Sequence, residues 1–146
     1  MNTTDNPEIQ IFQLNGVKHI RSENVISLVR ENKMCVIDVR EEAEFKSEYI
    51  DCENILSHPM SVIMDRLAYI PKNTPLLIVS SDGVNSTKVA NLLNIQGFIE
   101  VVNLDGGLNA WKIKGFKTVK NVGYNSSNSS QSCNKNTCGC SCEGCE

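Results

Sequence analysis

The sequence predicts an α/β fold in which helices cover both faces of a central, mainly parallel sheet. Three observations predict it. Residues 34–39 and 75–79 are apolar runs too short for helices, the pattern of strands buried on both faces. Segments with apolar residues at helical spacing alternate with such runs, which favours parallel strands joined by right-handed crossovers. The apolar patterning then stops after Phe116, so the 146 residues hold one compact domain and a polar tail.

Taken in order, residues 1–16 form an N-terminal arm or an added edge strand: residues 2–6 are polar and expected to be disordered, while residues 9–14 alternate apolar and polar. Residues 17–20 read as a short strand. Ser22 is the expected N-cap of a helix with Val25, Leu28 and Val29 on one face, ended by Asn32. Strand 34–39 leads to a helix over 41–48, a short strand at 54–56 and a helix over 60–69 that turns Ile63 and Leu67 inward. Pro71 stops that helix. Strand 75–79 runs into the polar loop 80–86 and a helix with Val89, Leu92 and Leu93 on one face, stopped at Gly97. A last strand, 101–104, precedes a helix opened by Gly106 and Gly107 that aims Leu108 and Trp111 at the core. The domain is therefore set at 17–118, a flexible linker rich in Asn and Ser at 119–132, and a Cys-rich tail at 133–146.

Hydrophobic residues make up 40% and charged residues 21%, with a formal net charge of -3, so no basic footprint for nucleic acid is present. No stretch approaches the roughly 18 apolar residues of a membrane span, and the first residues lack a basic segment followed by an apolar run. A cytoplasmic protein that binds neither nucleic acid nor membrane is expected.

With these elements assigned, the chain resembles the rhodanese-like family. The resemblance is carried by Asp38, Val39 and Arg40, Glu44 and Phe45, Asn54 and Ile55, Gly83, Ser86, Gly97 and Phe98, and the closing segment LDGGLNAW from Leu104 to Trp111. These occur in family order and spacing over about a hundred residues. The resemblance implies a three-layer fold and sulfurtransferase ancestry. It also implies an active-site loop of the form Cys-x-x-Gly-x-Arg-Ser, whose amides cradle an anion and whose cysteine becomes a persulfide.

Here that loop reads Ser80, Ser81, Asp82, Gly83, Val84, Asn85, Ser86. Its spacing survives, with Gly83 permitting a tight turn and Ser86 near the helix start. An alcohol cannot form a persulfide, so Ser80 at the position of the catalytic cysteine is expected to be inactive. Asn85 removes a guanidinium from the anion pocket and Asp82 adds negative charge, so thiosulfate should bind poorly. The family's Gly-His-Ile-x-Gly-Ala stretch is altered to Glu48, Tyr49, Ile50, Asp51, Cys52.

In open parallel sheets, ligands collect beyond the carboxyl ends of the strands. Arg40, His58, the 80–86 loop and Asp105 all fall there, which makes that edge the candidate site. Asp38 and Arg40 are read as a supporting ion pair with Glu44 and the loop. His58 is a supporting residue that could equally be a surface or capping histidine. Cys35, inside a strand, and Trp111 are read as packing residues, and Cys52 lies at the opposite end of the sheet.

Five of the seven cysteines, Cys133, Cys138, Cys140, Cys142 and Cys145, lie in the tail. Thiolates at Cys-x-Cys and Cys-x-x-Cys spacing can converge on Zn or Cu(I); the alternative is a polar tail whose thiols oxidise adventitiously. Three functional readings follow. The first is a rhodanese-like protein without ordinary thiosulfate sulfurtransferase activity, whose domain binds a protein partner or small ligand. The second is a persulfide carrier that uses a tail cysteine and hands sulfur to an acceptor. The third is a soft-metal module built by the tail.

Overall fold

Five short strands, β1 (Lys18–Ile20), β2 (Cys35–Asp38), β4 (Ile55–Ser57), β5 (Leu76–Val79) and β6 (Val101–Leu104), pair in parallel in the order β1-β6-β5-β2-β4. This computed structural model describes residues 3–121. The readings on the tail cysteines and on the linker beyond residue 121 lie outside the described residues.

Every residue of β2, β5 and β6 is buried, as their apolar runs require. Their side chains alternate between two cores. On one face Cys35, Ile37, Leu76 and Ile78 meet Val89 and Leu93 of α3 (Val84–Ile95) and Ile63 of a 3₁₀ segment, Met60–Tyr69. On the other, Val36, Leu77 and Val79 meet Val25 and Val29 of α1 (Ser22–Arg30) and Leu108 and Trp111 of α4 (Gly107–Ile113). The three layers are thus two helical faces around one sheet.

Several local expectations change. Residues 60–69 form a 3₁₀ segment rather than an α-helix, with i→i−3 bonds from Val62 N–H to Pro59 C=O (3.0 Å) and Ile70 N–H to Leu67 C=O (3.2 Å). The helix expected over 41–48 is α2 (Glu42–Ser47); Glu48 leaves it to begin β3 (Glu48–Ile50), which pairs antiparallel with β7 (Thr118–Lys120). This ribbon buries Ile50 completely and carries strand pairing two residues past 118. Ser22 is not a cap: only Arg21 separates β1 from α1, so Ser22 falls within the first turn, its buried hydroxyl without a partner. Of the stretch 2–6 expected to be disordered, the described residues 3–6 are not wholly unstructured, because Thr4 and His19 exchange two backbone hydrogen bonds of 2.8 Å. Residues 9–14 add no strand.

From β4 the chain crosses back over β2 to reach β5, then continues outward to β6. Strand order therefore reverses between β2 and β5. In an open α/β sheet that reversal opens a crevice at the carboxyl ends of the two strands.

Candidate functional site

The crevice is a cavity of about 580 Å³, with Arg40, Glu41 and Glu44 on the β2 side, Met60 and Ser61 at the mouth of the 3₁₀ segment, and Ser80, Ser81, Asp82 and Asn85 on the β5 side. The loop from Ser80 is therefore where the sequence placed it.

Gly83, at φ +93°, turns the chain from β5 into α3. The turn folds the loop around Ser80, which is 2% exposed. Its Oγ accepts hydrogen bonds from the backbone N–H of Gly83 (3.0 Å) and of Ser86 (3.2 Å), and lies 3.0 Å from the Ser86 hydroxyl. The Ser86 hydroxyl in turn donates to Asn103 Oδ1, so the Ser80 proton is directed at Ser86. Ser86 thus sits inside α3 rather than capping it; the Asp82 carboxylate performs that task, accepting the Val84 N–H at 3.0 Å.

The first turn of α4 holds the loop from the other side. Leu108 N–H donates to Ser80 C=O (2.8 Å) and Asn109 N–H to Ser81 C=O (2.9 Å). Between them Gly107, at φ +64°, passes so close that an added Cβ would stand 2.5 Å from the Ser80 carbonyl oxygen. The LDGG segment is the mould of the loop.

Asp38 and Arg40 form the expected pair. Arg40 Nε lies 3.0 and 3.2 Å from the two carboxylate oxygens, Nη2 lies 2.7 Å from Oδ2, and the Arg40 N–H donates to Oδ1 at 3.0 Å. Glu44 is not a partner as expected, and the loop is not one either; Arg40 instead donates to the Glu48 carbonyl, because the guanidinium folds back over α2 toward β3. Arg40, paired with Asp38, lines the cavity beside the exposed carboxylates of Glu41, Glu44 and Asp82.

His58 follows β4 and its N–H donates to Asp38 C=O at 3.0 Å, but its ring does not line the cavity. The ring is 8% exposed and both nitrogens lack partners. Burial pushes its pKa down, and the Arg66 charge adds to this. Cys35 is packed within β2, where burial raises its thiol pKa. The Cys52 thiol is pushed up to about 11, chiefly by burial. Neither cysteine faces the crevice.

Sequence reasoning placed Asp105 at this edge but missed Gln10, Asn103 and His19, which lie beneath the loop. The Asp105 carboxylate, 1% exposed, accepts the consecutive N–H groups of Glu8 (2.6 Å), Ile9 (3.0 Å) and Gln10 (3.0 Å). These amides draw the N-terminal arm across the carboxyl edge as a strap. Asn103, on β6, links Ser86 to the strap and to His19: its Nδ2 donates to Gln10 Oε1 (3.0 Å) and to His19 Nδ1 (2.9 Å). His19 is therefore neutral with its proton on Nε2, and burial holds its pKa down. The alternation of residues 9–14 was the one signal of the arm, and it could not reveal which side chain enters the site.

Comparison with known proteins agrees with this fold. Residues 22–114 match the rhodanese-like domain family. The chain is 32% identical over 95 residues to the thiosulfate sulfurtransferase GlpE of Coxiella burnetii, covering 65% of this chain and 87% of that protein. It is 33% identical over 105 residues to the tRNA uridine(34) hydroxylase of Chlamydia muridarum, spanning 66% of this chain but only 31% of the hydroxylase. Among solved structures, a rhodanese-like domain protein from Staphylococcus aureus superposes with a TM-score of 0.59 at 34% identity, over 68% of this chain and 95% of that one. The rhodanese-like domain of the Anabaena Alr3790 protein gives 0.65 at 22% identity, covering 80% and 89%.

Proposed function

We propose, from the premise that the chain belongs to the rhodanese-like domain family, that its domain is a binding module without ordinary thiosulfate sulfurtransferase activity. The observation that carries this reading is the state of Ser80. Its oxygen occupies the convergence point of the Gly83 and Ser86 amides, and its proton is committed to Ser86. A sulfur-accepting nucleophile must present an ionisable, accessible sulfur. Among the described residues the two thiols, Cys35 buried and Cys52 half-buried, lie away from the crevice and have raised pKa values.

The rim supports a ligand other than an oxyanion. Glu41, Glu44 and Asp82 repel thiosulfate, Asn85 brings no charge, and Arg40 is paired with Asp38. Any sulfur or metal chemistry of the protein then belongs to Cys133, Cys138, Cys140, Cys142 and Cys145, or to a partner protein docked at the crevice.

A thiosulfate-to-cyanide assay on the full chain and on a chain ending at residue 121 tests this. No turnover by either is expected. Robust turnover surviving the truncation overturns the reading, and turnover lost with the truncation assigns the chemistry to the tail thiols as a persulfide carrier.

A further inference from the structure

We infer that Gln10 is a positioning residue of the Ser80 site, so that the functional unit includes the N-terminal strap at residues 8–12 as well as the 22–114 domain. The inference rests on the reading of the Ser80 loop as the binding site. The strap lies before the segment that matches the family. Even so, its one side-chain amide reaches both elements that shape the loop.

Gln10 Nε2 donates to the Gly83 carbonyl (3.2 Å) and to Thr87 Oγ1 (2.9 Å), and folds the strap on itself through the Phe12 carbonyl (2.8 Å). Thr87 Oγ1 itself donates to the Gly83 carbonyl at 2.6 Å. The peptide after Gly83 is thereby gripped twice, and its orientation fixes where the α3 amides point. On the other side, Gln10 Oε1 accepts from Gly106 N–H (3.0 Å) and Asn103 Nδ2 (3.0 Å). Asn103 is the group that takes the Ser86 proton. One residue thus ties the turn carrying the Gly83 amide to the side chain that orients Ser86.

The fit is tight. A Cβ at position 83 would stand 1.8 Å from Gln10 Oε1, and one at position 106 would stand 2.7 Å from Ile9 Cγ2. Both glycines leave room for the strap as well as permitting the turns. The strap is anchored in place by the three amides on Asp105. Gln10 makes no hydrogen bond to Ser80, so its action on the site passes through Gly83 and Asn103.

The consequence is a cradle: both loop amides converge on whatever atom stands at the tip of residue 80. Ser80→Cys in the full chain turns that cradle into a measurable quantity, because N–H donors favour a thiolate and lower its pKa. The probe is iodoacetamide, with alkylation rates at position 80 read by peptide mass spectrometry across pH so that the tail thiols do not interfere.

Ser80→Cys should titrate below the ordinary thiol value of about 8.5. Adding Gln10→Met, which keeps side-chain length but loses every hydrogen bond, should raise that pKa by about one unit. Amide exchange in β2 and β5 should stay unchanged, since a merely structural strap would loosen those strands and leave the thiol pKa alone. An unchanged thiol pKa overturns the inference. Where Gln10→Met loosens the whole domain, Gln10→Glu serves instead: it loses both donors and adds negative charge, so the thiol pKa must again rise. Thiosulfate turnover that survives truncation at residue 121 overturns the functional reading and leaves this one standing; a thiol indifferent to Gln10 does the reverse.

Discussion

Asp38 is 1% exposed and takes three contacts from one guanidinium and a fourth from a backbone amide. Removing either partner strands a buried charge, so Arg40→Ala or Asp38→Ala should cost about 3–5 kcal/mol in urea denaturation. A loss below about 1 kcal/mol would mean that water reaches the pair. The buried histidines make a separate prediction. His19 and His58 both have lowered pKa values in the fold, while unfolding returns them to about 6.5. The unfolded chain then binds more protons below that value, so stability is lost as pH falls from about 6.5 toward the folded pKa values. The thermal midpoint should drop between pH 7 and pH 5; a flat profile would remove both groups from the account.

The strap is the element that a domain boundary drawn at residue 17 would discard. Without residues 1–12 the Asp105 carboxylate loses three backbone donors. Because bonds to charged groups contribute about 1.5–3 kcal/mol each and are not additive, the truncated chain should lose at least about 3 kcal/mol. Chemical denaturation at pH 7 measures this, and an unshifted midpoint would mean that the strap is not bound in solution. Why the sequence hid the strap is physical. Strands β2 and β5 were legible because Val36, Ile37, Leu77 and Ile78 are wholly buried on both faces. Gln10 is polar and half-buried, in a segment without strand or helix, and apart from the Phe12 carbonyl its partners lie 73 to 96 residues away. The β3–β7 ribbon was hidden for a related reason, since its strands are three residues long and only Ile50 is fully buried.

Across the whole molecule, the rhodanese-like fold surrounds a crevice at the carboxyl ends of β2 and β5. The loop amides still converge, the Gly107 mould is intact, and the Asp38–Arg40 pair stands beneath. The departures from the family pattern that motif spacing makes visible lie at positions 80, 82 and 85 and in the stretch from Glu48 to Cys52. Ser80→Cys combined with Asn85→Arg should therefore bring measurable thiosulfate sulfur transfer to the full chain, and Ser80→Cys alone should bring less. Equal inactivity of both would show that the carboxylates of Glu41, Glu44 and Asp82 suffice to exclude the substrate.

The distance along the chain between Asp105 and the amides of Glu8 and Gln10 also orders events in time. Contacts spanning 97 and 95 residues close one of the longest loops this domain can form. Such contacts are slow to gain because the entropy of closing the loop is lost before they form. During synthesis the strap must wait for almost the entire domain to emerge. In a chain made from its N-terminus, the strap can therefore dock on Asp105 only after β2 and β5 have already been synthesised.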